Sequence, residues 1–307
     1  MSITITGGIS FSGGLDIVAP PLGIRAIFGY GYGTSYTAIT NLVTNTGVVG
    51  NDVTGVGTAR YGPAAAGYGT DKAIFGYGSG PVSMTNLVSN TGVVSSDTNG
   101  VGTARNGLAA AGYGTDKAIF GYGQNSSFAL VSMTNLVSNT GVVANDVAGV
   151  GTARSNLAAA GYSTDKAIFG YGLATPIRVS ITNLVSNTGV VATDTAGVGT
   201  ARRELAAAGY GTDKAIFGYG NDSTGSVSMT NLVSNTGVVA SDTSGVGTAR
   251  VNLAAAGYGS DKAIFGYGNS GSVTSITNLV SNTGVVASNT TGVGTAREGI
   301  AAASYGS

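Results

Sequence analysis

The stretch LAAAGYGTDKAIFGYG, residues 108–123, decides the fold, because its parts recur along the whole chain. In the same unit SMTNLVSNTGVV follows at residues 132–143 and GVGTAR at residues 149–154. Internal repeats of this length define an architecture before any single residue does. The phenylalanine of AIFGYG marks six copies at spacings of 45 to 49 residues: Phe28, Phe75, Phe120, Phe169, Phe217 and Phe265.

The sequence pattern of the repeat unit predicts four short strands joined by turns. Its apolar runs are rich in Val, Ile, Tyr, Phe and Thr and are too short for stable helices. Gly, Asn and Asp collect between the runs, as at residues 114–117 and 138–141. Four strands in a period of about 40 to 50 residues are typical of a β-propeller blade. The sequence therefore predicts an all-β, six-bladed β-propeller of four-stranded antiparallel blades.

The two ends of the chain favour a ring over a linear solenoid. A solenoid would need terminal repeats with a polar outer face, and the terminal repeats here are as apolar as the others. The first AIFGYG lacks the AAAGYG run before it, whereas residues 301–305 supply a spare copy, AAASY, at the C-terminus. We expect this C-terminal strand to pair with residues 26–30 and complete the first blade. The propeller is thereby predicted to span residues 24–307.

Residues 1–23 do not repeat and form a predicted N-terminal arm. The arm is apolar and glycine-rich, and Asp16 is its only charged side chain. It is too short for a core of its own. Three alternatives stay open for it: docking to a larger assembly, docking on its own propeller, and disorder.

Composition excludes several classes of function. The chain has 307 residues, of which 53 are Gly and 9 % are charged, and it contains no Cys, His or Trp. Disulfides, Cys/His zinc sites and His-dependent triads are therefore excluded. The formal net charge is zero, which argues against nucleic-acid binding. No apolar run is long enough to span a membrane. We expect no cofactor, no bound metal and no membrane insertion.

Most charged residues repeat with the unit, which argues against an enzyme. Asp-Lys pairs such as Asp116-Lys117 read as solvated ion pairs in the first turn. A second Asp recurs in the units, for example Asp97, and we interpret it as part of an Asx-type turn. Calcium binding is the weaker alternative. The GVGTAR arginines are expected to cap backbone carbonyls or to face a central channel, where they could hold an anion. The charged residues outside the pattern include Glu204, Asp222 and Glu298.

The order of features within the unit resembles a kelch repeat. Arg105 opens the unit, a strand leads into Gly121-Tyr122-Gly123, and Asn139 lies in a later turn. The kelch Gly-Gly is Gly-Tyr-Gly here, and the Trp that follows the Asn turn is Val142. The copper-dependent oxidases of kelch type need Cys and His ligands, which this chain lacks.

The near-identical units also resemble structural proteins of marine bacteriophages. That resemblance implies a virion protein, such as a fibre, decoration or receptor-binding subunit, located in the phage particle. It further implies that the N-terminal arm contacts other virion proteins. Docking of the arm on a second copy, which would give a homo-oligomer, is an open alternative.

Individual differences between the units collect on one face of the predicted ring, which we call the variable face. It carries the loops after the second strands and the links between units, whereas the turns after the first and third strands hardly vary. Loops on a rigid scaffold commonly carry binding functions, although neutral drift of loops is the alternative. The aromatic and basic side chains of this face are the predicted contact residues: Tyr32, Tyr36, Tyr61, Phe128, Arg178 and Arg203. The predicted ligand is a host-surface protein or glycan, and a free lectin-like glycan-binding propeller is the alternative function.

Overall fold

A computed structural model describes residues 23–306 of the chain. These residues form an all-β structure without a helix, built mainly from six antiparallel sheets of three strands. No helix of the described part is long and apolar enough to cross a membrane. Apart from Gly23, the predicted N-terminal arm lies outside the described residues. Repeated small antiparallel sheets of this kind fit a β-propeller.

Each sheet contains one strand from each of three recurring segments. The first strands are Ala64–Tyr68, Ala109–Tyr113, Ala158–Tyr162, Ala206–Tyr210, Ala254–Tyr258 and Ala301–Tyr305. The second strands are Arg25–Gly29, Lys72–Gly76, Lys117–Gly121, Lys166–Gly170, Lys214–Gly218 and Lys262–Gly266. The third strands are Thr40–Val43, Thr85–Val88, Thr134–Val137, Thr182–Val185, Thr230–Val233 and Thr277–Val280. Two minor ladders pair Arg105–Asn106 with Gln124–Asn125 and Leu173–Ala174 with Ile177–Arg178.

The second strand lies at the centre of each sheet. In one unit Gly121 is opposite Ala109 of the first strand on one side and Thr134 of the third strand on the other. The turn between the first two strands needs positive φ at Gly114 and Thr115. Glycine reaches that region without steric cost, which explains its place at the turn.

The predicted fourth strand is not a continuous strand in the structure. In the unit that starts at Leu108 it meets the third strand through isolated bridges, Thr134 to Val147 and Val137 to Val143, and through one backbone hydrogen bond from Ala144 to Leu136 at 2.8 Å. Between the bridges the amide of Asn135 donates to the Ala144 carbonyl at 3.0 Å. Because the Asn135 side chain occupies the Ala144 carbonyl, that carbonyl is not paired with the backbone of the third strand. The fourth segment therefore runs along the sheet without a continuous series of backbone hydrogen bonds. Four-stranded blades are therefore corrected to three strands and a loosely bridged edge.

The C-terminal strand pairs with the N-terminal part of the described chain. Ala301–Tyr305 runs antiparallel to Arg25–Gly29, and Ala302 is opposite Phe28. The first sheet therefore contains strands from both ends of the chain, in the register that the other five sheets use.

The core lies between neighbouring sheets. Phe169 packs against Tyr122 of the preceding unit at 5.1 Å between ring centroids, and both side chains are fully buried. A Cβ atom on Gly121 would come within 2.7 Å of the Phe169 ring, so that position has to be glycine. The predicted packing of the AIFGYG aromatics between neighbouring units is confirmed.

The GVGTAR arginines are buried between units and do not face a channel. All six are at most 2 % exposed: Arg60, Arg105, Arg154, Arg202, Arg250 and Arg297. Arg154 donates from Nε to the Tyr171 carbonyl at 2.8 Å and from Nη2 to Asn183 Oδ1 at 2.7 Å. Its guanidinium also lies 4.3 Å from the centre of the Tyr122 ring. Of the two roles that the sequence left open, capping of carbonyls is confirmed for Arg154.

Asp97 and its equivalents bind a threonine of the neighbouring unit instead of forming local Asx turns: Asp52, Asp97, Asp146, Asp194 and Asp242. Asp194 accepts hydrogen bonds from the backbone and the hydroxyl of Thr152, 42 residues earlier, and from Asn183. Burial alone would raise the pKa of Asp194, but these hydrogen bonds and the Arg154 charge outweigh it, so the pKa is lowered. The Asx-turn interpretation is wrong for this residue because its partners are distant in sequence.

Candidate binding face

The links between units and the loops after the second strands lie side by side. Backbone bridges join Ser155 of a link to Leu173 of the next loop, and Arg203 to Asn221 in the following unit. The first and third turns contact each other elsewhere, as where Asn235 donates to Asp213 at 3.0 Å. We call the surface formed by the turns after the first and third strands the turn face.

The links are held in a chain of backbone hydrogen bonds. Asn156 donates to the Gly107 carbonyl at 2.7 Å, Glu204 to Asn156 at 2.9 Å, and Asn252 to Glu204 at 3.0 Å. Gly299 and Gly62 continue the series. Each of these residues has a φ between 52° and 62°. For a non-glycine residue such as Glu204 this conformation costs about 1 kcal/mol or more, and the surrounding bonds hold it in place.

A cavity of about 290 Å³ opens among the links of the variable face. It is lined by residues from every unit, including Tyr61, Asn106, Gln124, Asn156, Glu204 and Asn252. Amide, carboxyl and phenol groups therefore converge on one small space, with Leu157 and other apolar side chains between them. A cavity with a few convergent polar groups is the usual form of a small-ligand site.

Glu204 is the titratable carboxyl of this cavity. Burial raises its pKa, whereas the positive charges of Arg203 and Arg178 oppose the rise and the negative charge of Glu298 adds to it. Its carboxylate oxygen lies 3.3 Å from Arg203 Nε. The pKa of Tyr61 is raised mainly by burial and further by Glu298 and Glu204. Glu204 and Glu298 thus both raise the pKa of the Tyr61 phenol.

Three of the predicted contact residues come together beside the cavity. The rings of Tyr32 and Tyr36 meet edge to face at 5.7 Å between centroids, and their side chains are 39 % and 56 % exposed. The backbone of Tyr32 exchanges two hydrogen bonds with Glu298, at 2.8 and 2.9 Å. The Tyr61 ring packs on Gly299, so close that a side chain there would overlap it. We call Tyr32, Tyr36 and Tyr61 the tyrosine cluster.

The other three predicted contact residues lie at two separate places. Arg178 donates to the Asn221 side chain at 2.6 Å, and the backbone of Arg203 forms a β-bridge with the backbone of Asn221. Phe128 stands at a loop tip with a φ of 61° and is 80 % exposed. The six residues therefore form one cluster, one arginine pair and one isolated aromatic.

The sequence interpretation missed the amide side chains of the cavity. Asn106, Asn156 and Asn252 occupy links that were interpreted only as variable connections. A signal was present, because the second residue of each link is Gly, Asn or Glu: Gly62, Gly107, Asn156, Glu204, Asn252 and Gly299. Gly and Asn at equivalent positions indicate a left-handed backbone that brings the links close together.

The turn face has its own cavity and is nearly uniform. The cavity of about 290 Å³ is lined by the glycines of the first strands, by Ile24 and by turn residues such as Lys166. Each lysine of this cavity lies beside its aspartate, as Lys214 does to Asp213 at 2.7 Å, and is partly exposed. Within residues 23–306 no three acidic, His or Cys side chains are grouped so that they could hold a metal ion.

No protein-family model matches the chain, and no curated protein matches it.

Proposed function

We propose that the chain is a closed six-bladed β-propeller that acts as a non-enzymatic binding and adhesion protein through its variable face. Six hydrogen bonds at the first turns support closure. Gly69 donates to Asp116 of the next unit at 2.7 Å, and the series continues through Gly259 to Ile24 at 2.8 Å and Gly306 to Asp71 at 2.7 Å. The series returns to the unit from which it started, as a closed ring requires.

The contacts between the last and the first unit support the same ring. Arg297 donates to the Tyr30 carbonyl at 2.9 Å and to Asn41 at 2.6 Å. These distances match those of Arg154 within 0.1 Å. Thr295 likewise binds Asp52 as Thr152 binds Asp194. The last seam therefore uses the same bonds as an internal one, although 243 residues separate Thr295 from Asp52.

The observation that carries the binding function is the location of the non-repeating side chains. The cavity, the tyrosine cluster, Phe128 and the arginine pair all lie among loops and links, whereas the turn face repeats nearly the same residues in every unit. Exposed aromatic side chains on a rigid scaffold suit protein interfaces and sugar rings.

The non-repeating carboxylates of this face favour binding over catalysis. Asp222 accepts hydrogen bonds from Thr224 and Gly225, and Glu298 accepts from Asn252 and Asn269. Both carboxylates are thus engaged in holding loops. Among residues 23–306 Glu204 is left without a second free carboxylate on this face, and a paired acid and base is what most hydrolytic mechanisms need.

We extend the proposal to a phage particle on the resemblance of the repeats alone. In that setting the N-terminal arm would contact other virion proteins and the variable face would meet the host surface. The free lectin-like module is the second candidate, and the polar cavity beside exposed tyrosines favours it.

Binding to isolated bacterial envelopes tests the proposed function. The full chain is compared with a variable-face variant, Tyr36→Ser with Phe128→Ser, and with a turn-face variant, Val142→Ser with Val190→Ser. The valines are 65 % and 66 % exposed, which makes them a matched control for exposed apolar surface. We expect the first variant to lose about tenfold in affinity and the second to bind as the parent does. Equal loss in both variants, or no envelope binding by the parent chain, would overturn the proposal.

A further inference from the structure

We infer that the cavity of the variable face binds one neutral sugar residue of a glycan, with the tyrosine cluster supporting the next residue. The inference rests on the proposed binding function and names its ligand class. The sixfold repeat does not require this site, because the second residue of the links differs between units, being Gly in three, Asn in two and Glu in one.

The size of the cavity suits one sugar ring. At about 290 Å³ it lies at the lower end of small-molecule sites, which span roughly 300 to 1,000 Å³. The chain of hydrogen bonds through Asn156, Glu204 and Asn252 fixes the links that line it. The site is therefore preformed, and binding would not have to order it.

The lining offers both donors and acceptors for hydroxyl groups. The side chains of Asn106 and Asn156 line the cavity, and within residues 23–306 neither amide is engaged in a side-chain hydrogen bond. Each amide can donate and accept, and the Glu204 carboxylate can accept from two neighbouring hydroxyls. Vicinal hydroxyls of a sugar are groups of this kind.

The charges around the cavity favour a neutral ligand. Glu204 and Glu298 both raise the pKa of the Tyr61 phenol, but Arg203 and Arg178 act on Glu204 in the opposite sense, so an acidic sugar finds no excess of positive charge around the cavity. A cationic ligand gains little, because Arg203 already lies 3.3 Å from the Glu204 carboxylate. An uncharged sugar does not depend on an excess of either charge around the cavity.

The tyrosine cluster extends the site beyond the cavity. Tyr61 lines the cavity and packs on Gly299, while Glu298 joins the Tyr32 backbone. The exposed Tyr36 ring stands edge to face with Tyr32. An exposed aromatic face next to a polar cavity suits the apolar face of a second sugar ring.

Saturation-transfer NMR on the full chain with a panel of neutral, acidic and amino monosaccharides tests the inference. The key variant is Asn156→Gly, which removes one amide and keeps a residue found at three equivalent links, Gly62, Gly107 and Gly299. Tyr36→Ser removes the proposed support for the second ring, so it is assayed with disaccharides. Ile177→Ser, at an exposed side chain of the same face, is the control. Unchanged melting temperatures establish that each variant is folded.

We expect a neutral sugar to bind at millimolar or lower concentration and Asn156→Gly to weaken it about tenfold. Tyr36→Ser should weaken the disaccharide and leave the monosaccharide unchanged, and Ile177→Ser should change neither. Binding of only acidic or amino sugars, of no sugar, or of a sugar indifferent to Asn156→Gly would overturn the inference. If envelopes still bind through the variable face in those cases, the proposed function survives and only its ligand class fails.

Discussion

Phe28 of the first unit packs against Tyr267 of the last unit, with 5.1 Å between ring centroids and 57° between ring planes. The internal pair Tyr77 and Phe120 has the same distance and the same angle. Two residues 239 positions apart thus make the contact that neighbouring units make everywhere else. This equality supports the proposed closed ring.

The buried arginines allow a test of the contacts between units, in which Arg105 keeps a contact from Nη1 to Asp146 at 3.4 Å. Arg154 donates from Nε to a carbonyl, whereas Arg105 Nε has no hydrogen-bond partner although it is buried. Lysine cannot reproduce the planar fork of arginine. We expect Arg154→Lys to lower the free energy of unfolding by about 2 to 3 kcal/mol and Arg105→Lys by about 1 kcal/mol less. Chemical denaturation of both variants measures the difference, and equal losses would contradict this role of Nε.

The sixth unit carries a natural substitution that tests the aspartates. Asn289 stands where the other units have Asp, and it exchanges hydrogen bonds with Thr248 through its amide. Arg250 therefore lacks the nearby carboxylate that Arg202 has in Asp242 at 3.8 Å. Asn289→Asp should stabilise the protein by no more than about 1 kcal/mol, since the aspartates are partly exposed.

Asp242→Asn is the control for that substitution and should cost a similar amount. Thermal unfolding near neutral pH compares the two variants with the parent. The gain from Asn289→Asp should disappear as the pH falls below the ordinary pKa of Asp, because the pKa of the equivalent Asp242 is lowered in the folded state. A gain that persists in acid would mean that charge is not its source.

Alkaline pH should unfold the protein through its buried tyrosines. Burial raises the pKa of five of them to about 12, with the adjacent arginine opposing the rise: Tyr30, Tyr77, Tyr122, Tyr171 and Tyr267. A pKa raised on folding means that the folded state holds the proton more tightly. The associated stability is complete below pH 10 and is lost as the pH rises toward 12.

The melting temperature against pH, followed together with phenolate absorbance, checks this prediction. Tyr122→Phe removes one such group and should make the alkaline loss smaller, at the cost of the hydrogen bond from the Tyr122 hydroxyl to Val150. A melting temperature that stays constant between pH 10 and 12 would contradict the prediction.

The sequence predicted the all-β class and the pairing at the ends, because both follow from repeat length and the order of apolar runs. It could not predict that Asn135 would join an arginine to an aspartate, since Arg105 and Asp146 lie 30 residues before it and 11 after it. The same contacts interrupt the fourth strand, which alternation of residues cannot reveal.

The sequence could predict on which face the candidate site lies, but not which residues of that face come together. Tyr32 and Tyr61 could be singled out as variable aromatics, but their convergence depends on Glu298 and Gly299 at the far end of the chain. Asn156 and Glu204 meet across two units through backbone bonds that no local pattern encodes. Long-range pairing of links is what turns separate loops into one cavity.

Small-angle X-ray scattering of the full chain in solution tests the closed ring most directly. Phe28 and Tyr267 can meet only if six units return on themselves, which makes the particle compact. For a monomer, a compact fold of 307 residues has a radius of gyration of about 19 Å, and we predict that value together with a single-peaked distance distribution. An elongated particle with a clearly larger radius would mean that the units form an open array, and the central claim would fail.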